Sequence, residues 1–194
     1  MQNYGCGHKT CANLAKQGAS KCAAVFALLK YNYNLPHPKA GTSEWVFGLG
    51  KELGGSYAGQ YNLCAGGHEP ADYVLGDFCW IRCAMREFRE EFKIDCDFKR
   101  FDLMFRSAKS KRIRVFMHHQ TPVFIAILDT GTSRHTIKNQ MQQDNINPML
   151  TYSYKEMCDF EYFRLTDCSQ LEYKNLPVSS FAEGIRKKID INQI

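Results

Sequence analysis

No stretch of this 194-residue chain is apolar for long enough to cross a bilayer. A span takes about 20 residues, and the longest apolar run, residues 22–29 (CAAVFALL), has the length of a strand. The N-terminus carries no hydrophobic signal segment. From these two absences we expect a cytoplasmic, intracellular protein with no membrane partner. Internal repeats and low-complexity tracts are also missing, which excludes repeat arrays. Charge is nearly balanced: 25 Lys+Arg against 20 Asp+Glu leave +5. That balance tolerates a polyanionic substrate but is too modest to argue for nucleic-acid binding.

Cysteine, by contrast, is abundant. The nine residues are Cys6, Cys11, Cys22, Cys64, Cys79, Cys83, Cys96, Cys158 and Cys168. An odd count, no secretory signal and placement inside apparent helices and strands predict reduced thiols rather than a disulfide framework. Cys79 and Cys83, one helical turn apart, read as packing residues. Cys6, His8, Cys11 and Cys22 are metal-ligand types at short spacing, but no second C-x2-C or H-x3-H half accompanies them. Residues 1–20 are therefore expected to form a polar, loosely ordered arm, with zinc binding left open. Hydrophobic content of 44% and charged content of 23% suit one soluble domain over residues 21–194.

The chain is organised around residues 86–92 (REFREEF). At about 100° per residue, Glu87, Glu90 and Glu91 share one face of a helix. Extended back to Asp77, a good N-cap candidate, the helix carries Ile81, Met85, Phe88 and Phe92 as an apolar stripe. Like charges at i,i+4 cost a few tenths of a kcal/mol per pair. Divalent cations, which take carboxylate oxygens, would supply a reason to keep three of them. The plainer reading is a solvated acidic face balanced by Arg86 and Arg89.

Upstream, residues 56–67 read SYAGQYNLCAGG, followed by His68 and Glu69. A strand, a glycine pair, a loop and a helix ending REFREE resemble the Nudix hydrolases. Their motif is G-x5-E-x7-R-E-U-x-E-E-x-G-U, with U a bulky aliphatic residue. Gly67, Arg86, Glu87, Phe88, Glu90, Glu91 and Ile94 match it, and Gly59-Gln60-Tyr61-Asn62 looks like the loop that leads into it in nucleotide-acting members. The resemblance covers roughly residues 20–185. Three features depart from the pattern. The Gly67-to-Arg86 segment is five residues longer than the motif spacing, the first glutamate falls on Phe78 beside Asp77, and the glycine falls on Lys93. In the family that first glutamate mainly braces the motif arginine. Without that glycine the helix is expected to need another C-terminal stop, because Lys93 in the left-handed region would be strained.

The resemblance implies an α/β/α sandwich around a mixed sheet, and Mg2+ or Mn2+ as cofactor. Its ligands would be Glu87, Glu90 and Glu91, foremost Glu87 and Glu91, with the Gly66 carbonyl. Arg86 would tie the loop to the helix. Glu156 is the first candidate for general base, Glu161 the second, and Glu90 an alternative. Gly66 and Gly67 let backbone approach metal and phosphate, and His68 could touch a phosphate or stand by. Trp45, Phe47, Tyr57 and Tyr61 could stack on a base, although core packing is the default for the strand aromatics. The basic series Arg106, Lys109, Lys111, Arg112 and Arg114 could dock polyphosphate or RNA, or be a solvated loop.

Strands are expected at 21–31, 44–52, 60–65, 97–105, 112–118, 121–128 and 156–165. Residues 133–147 read as a polar helical insertion, and 179–192 as a terminal helix capped by Ser179 or Ser180. The expected partner is a nucleotide-type small molecule, a nucleoside diphosphate linked to a nucleotide, sugar or RNA 5′ end. Decapping of RNA is the second expectation, and a catalytically impaired nucleotide- or RNA-binding module the third.

Overall fold

A computed structural model describes residues 5–33, 41–129, 134–146, 157–167 and 176–190. Its middle is β1 (Cys22–Asn32). Ala23, Val25, Ala27 and Leu29 enter one core, while Ala24, Phe26 and Leu28 enter a second. A strand covered on both faces has no position for a polar side chain, which explains its continuous apolar run.

The other strands are β2 (Ser43–Glu52), β3 (Tyr61–Asn62), β4 (Cys64–Gly67), β5 (Tyr73–Val74), β6 (Asp77–Phe78), β7 (Val115–His118), β8 (Thr121–Ile127) and β9 (Met157–Arg164). The main sheet runs β3-β2-β1-β8-β7, with β4 on β1 and β9 on β2. β1 and β8 are parallel and the remaining pairs antiparallel, so the sheet is mixed. β1 changes partner midway, pairing with β2 from Ala27 to Asn32 and with β4 from Cys22 to Val25. That exchange lets the glycine end of β4 run alongside the main helix.

The helices are α1 (Lys9–Lys16), α2 (Trp80–Phe92), α3 (Phe98–Phe105), α4 (Arg134–Ile146) and α5 (Ser180–Arg186). The first four contribute Cys11, Leu14, Phe88, Phe92, Phe101, Phe105, Ile137 and Met141 to the first core. Ala182 and Ile185 of α5 enter the second. The expected architecture, helices on both faces of a central mixed sheet, is the one observed. α4 and α5 fall where the sequence placed helices, and Ser179 caps α5 by accepting from the Ala182 amide.

Three expectations change. Residues 97–105 form α3 instead of a strand: the Asp97 side chain accepts from the Arg100 amide, and Phe101 stacks on Phe105 with ring centroids 4.2 Å apart. The N-cap and the spacing of apolar residues outweighed the aromatic content that suggested a strand. The N-terminal arm is not loose within the described residues, since α1 buries Cys11 and Leu14. Asp77 is not the cap of α2. It lies in β6 and accepts from the Gly5 amide at 2.7 Å, while Cys79 takes the N-cap position.

A fourth difference is the end of α2: another stop was expected, yet the helix stops at Lys93 itself, in the left-handed region with φ 56° and ψ 26°. Its ammonium pairs with Asp144 of α4 at 3.1 Å and also reaches the Glu90 carbonyl. Lys93→Ala would remove the ion pair and keep the backbone strain, whereas Lys93→Gly would remove both. We expect Lys93→Gly to unfold in urea with about 1 kcal/mol more stability than Lys93→Ala. Equal stabilities would refute strain at this stop.

Candidate active site

The acidic face of α2 is not solvated. Glu87, Glu90 and Glu91 are 3%, 8% and 5% exposed, and Arg86 is 8% exposed. One guanidinium is shared by three buried carboxylates. Arg86 Nη1 lies 2.7 Å from Glu87 Oε1 and 3.0 Å from Glu90 Oε2, and Nη2 lies 2.9 Å from Asp72 Oδ2. Nε adds a second bond to Asp72 at 3.3 Å, and Nη2 donates to the Gly67 carbonyl at 2.7 Å. The half-buried Glu69 approaches at 3.5 Å. Burial alone would lower the affinity of this guanidinium for its proton. The Asp72 hydrogen bonds, the Glu87 charge and the Glu90 hydrogen bond overcome that and push its pKa above the ordinary value.

Asp72 is the residue the sequence reading missed. It lies in the 3-10 turn Pro70–Asp72, is 1% exposed, and makes a two-pronged pair with Arg86. Counting back from Arg86 put the bracing acid at Phe78, which instead packs its ring against His68, Tyr73 and Trp80. Counted forward from Gly66, the motif's five-residue gap ends on Asp72. The extra residues follow the acid and form the β5–β6 hairpin. That forward count was the signal available in the sequence.

Gly66 brings the helix acids to β4. A Cβ at Gly66 would sit 2.1 Å from Glu87 Oε1, so only a bare Cα admits the carboxylate. Four residues on, Glu91 Oε2 accepts from the neighbouring Ala65 amide at 2.7 Å. Glu87 and Glu91 thus both meet the β4 backbone, while Glu87 and Glu90 both pair with Arg86. Among the described residues, the set of three ligand-type groups lying within 4.8 Å of one another is Cys6, Cys11 and Cys79 and not the three glutamates. Two buried carboxylates at a glycine backbone still fit a hard divalent ion, which prefers oxygen ligands. The Gly66 and Gly67 carbonyls face the Cys83 thiol at 3.7 and 3.6 Å. The thiols flanking the site feel its negative charge. Cys64 is pushed well up by burial and then by Glu91 and Glu87; Cys83 is pushed up by burial and then by Asp72 and Glu87.

The remaining candidates are dispersed. Glu156 lies outside the described residues. Glu161, on β9, is buried, with its two oxygens paired to Arg134 at 3.1 Å and Lys138 at 2.5 Å on α4. Tyr61 is not free to stack on a base: it is 2% exposed, its hydroxyl donates to Asp159, and its ring meets Phe163 edge-on. Trp45 and Tyr57 are half-buried, and Phe47 is core, stacked on Phe26. Gly67 and His68 are exposed, and the His68 ring nitrogen Nδ1 lies 3.3 Å from the Tyr73 hydroxyl. Of the basic series, Arg114 donates to the Met104 and Arg106 carbonyls and Arg106 pairs with Asp102, so both serve the end of α3. Arg112 is exposed.

No family model and no curated protein matches the chain. Among solved structures, the chain is similar to a mutT/nudix family protein from Listeria innocua at 16% identity and a TM-score of 0.41, over 86% of this chain and 88% of that one. What the site can do therefore follows from its own residues.

Asp72→Asn would replace the two-pronged ionic partner of Arg86 with a neutral amide, leaving Glu87 and Glu90 as its carboxylates. We expect a loss of about 3 kcal/mol in urea denaturation, the scale for breaking a buried ion pair. A loss below about 1 kcal/mol, the scale of a surface pair, would show that Asp72 does not brace the arginine.

Proposed function

We propose that the chain is a Mg2+- or Mn2+-dependent hydrolase of the Nudix type. It would cleave the phosphoanhydride of a nucleoside diphosphate linked to another group. The observation that carries this reading is the pair Glu87 and Glu91, buried on α2 and set against the backbone of Ala65 and Gly66.

The obstacle to the reaction is charge, because water must approach a phosphorus ringed by negative oxygens. A divalent cation neutralises those oxygens and makes bound water more acidic. Glu87, Glu91 and the Gly66 carbonyl would hold it. Arg86, braced by Asp72, fixes Glu87, Glu90 and the Gly67 carbonyl relative to one another. Glu90 is the base favoured among the described candidates, since Glu161 is held by two cations of α4. Its Oε2 is on Arg86, leaving Oε1 to take a proton from water. Exposed His68 stands beside Gly67, where a phosphate would leave the site.

The Asp72–Arg86 pair weakens the reading of an impaired binding module. That reading leaned on Phe78 in the place of an acid, and Asp72 supplies the acid. RNA decapping keeps one supporting observation. A cavity of about 820 Å3 at the C-terminal end of α2 is lined by Lys93, Arg100, Arg106 and Arg114, with Asp95 and Asp129 also in its wall. A polyanionic chain bound there would make substrate affinity fall steeply with salt.

The test is release of nucleoside monophosphate from nucleotide sugars, dinucleoside polyphosphates and capped RNA, with and without Mn2+. Glu90→Gln combined with Glu91→Gln should lower kcat by about 10²-fold or more, the scale of losing a positioned charged group in catalysis. Unchanged release by the double variant would eliminate the mechanism. Steep salt dependence confined to capped RNA would move the substrate from small molecule to RNA.

A further inference from the structure

Away from the carboxylates, three thiols from two distant parts of the chain meet. Cys6 precedes α1, Cys11 lies in its first half, and Cys79 is the N-cap of α2. Their sulfurs all lie within 4.8 Å of one another, and those of Cys11 and Cys79 are 3.9 Å apart. Cys11 and Cys79 are fully buried and Cys6 is half-buried, and all three are free thiols. A disulfide needs sulfurs about 2.05 Å apart. Two thiolates on a tetrahedral zinc, with Zn–S about 2.3 Å, stand about 3.8 Å apart.

We propose that Cys6, Cys11 and Cys79 form a structural Zn2+ site that staples the N-terminal arm to the start of α2. Soft thiolates select zinc over the hard cations suited to the glutamates. The sequence offered Cys6, His8, Cys11 and Cys22 as ligands; the fold replaces Cys22 with Cys79. Cys22 sits in β1 with its thiol 3.7 Å from the Thr121 hydroxyl. His8 rests its ring near Phe98, with centroids 6.0 Å apart. The fourth position is completed by His8 after its ring turns, or by solvent.

The pocket is built without the metal. The Gly5 amide is held by Asp77, a Cβ at Gly5 would meet the Val74 carbonyl at 2.5 Å, and the Trp80 indole donates to the Ser20 carbonyl at 2.7 Å. These contacts bracket the arm on both sides of its two cysteines. On binding, the three thiols release their protons to solvent and the sulfur lone pairs go to the metal. The staple lies one residue from the β5–β6 hairpin, and the Cys79 amide donates to the Asp72 carbonyl at 2.8 Å. The metal would thus fix the segment that presents Asp72 to Arg86.

The test is the metal content of the full chain isolated under reducing conditions, with Cys11→Ser, Cys79→Ser and Cys22→Ser variants compared. About one zinc per chain is expected, retained in Cys22→Ser and lost from the other two. Cobalt exchanged into the wild-type protein should show the sulfur-to-metal charge-transfer bands and tetrahedral visible spectrum of a thiolate site. X-ray absorption at the zinc edge should count three sulfurs, a readout that stands if the serine variants fail to fold. Protein that arrives metal-free and takes up no cobalt, a Cys11–Cys79 disulfide in the intact mass, zinc retained in both ligand variants, or fewer than three sulfurs would each overturn the site.

Discussion

A buried guanidinium is the constraint from which the rest of this molecule follows. Arg86 sits almost out of water, and a charge there is tolerable only if every donor finds an acceptor. Its partners come from three places: the turn carrying Asp72, the Gly67 carbonyl at the end of β4, and Glu87 and Glu90 on its own helix. Satisfying the arginine fixes the loop, the strand end and the helix against one another. The helix acids inherit their positions from that arrangement. Glu87 can lie against β4 only because Gly66 has no side chain. The site is therefore a consequence of packing one charge, with the mixed sheet placing β4 where the helix can reach it.

Much of this was legible in the sequence because it is local. The apolar run of β1, the 3.6-residue stripe of α2 and the Gly-Gly pair each carry their own signal. The α2 acids and Arg86 could be placed on one helix from spacing alone. What stayed hidden was the direction each acid takes, because that depends on the strand beside the helix. Glu90 turns to Arg86, Glu91 turns to β4, and Glu87 meets both, with Oε1 on Arg86 and its carboxylate against Gly66. Asp72 was hidden by an insertion on its C-terminal side, which shifted a backward count onto Phe78. Glu161 and Tyr61 show the reverse error. Each is a chemically capable residue whose partners on a distant element, Arg134 and Lys138 for one and Asp159 and Phe163 for the other, hold it in the core.

The N-terminal arm shows the same limit from another side. Its cysteines read as half a metal site, since nothing nearby in sequence completed them. The completing thiol is 68 residues from Cys11 and is brought in by the hairpin that lengthens the motif loop. Insertion and arm thus meet at the start of α2, at the end opposite the strained Lys93 stop. Thiols at the beginning of the helix and carboxylates along its second half give it two chemically distinct ends, one soft and one hard.

The most direct test of the account is whether the helix carboxylates bind a hard divalent ion. Mn2+ titrated into the chain, and followed by loss of the free-ion electron paramagnetic resonance signal, should bind saturably and be displaced by Mg2+. Binding should persist in Cys11→Ser and disappear in a folded protein carrying Glu87→Gln and Glu91→Gln. Mn2+ uptake that survives loss of both carboxylates, or wild-type protein that takes up none, would contradict it.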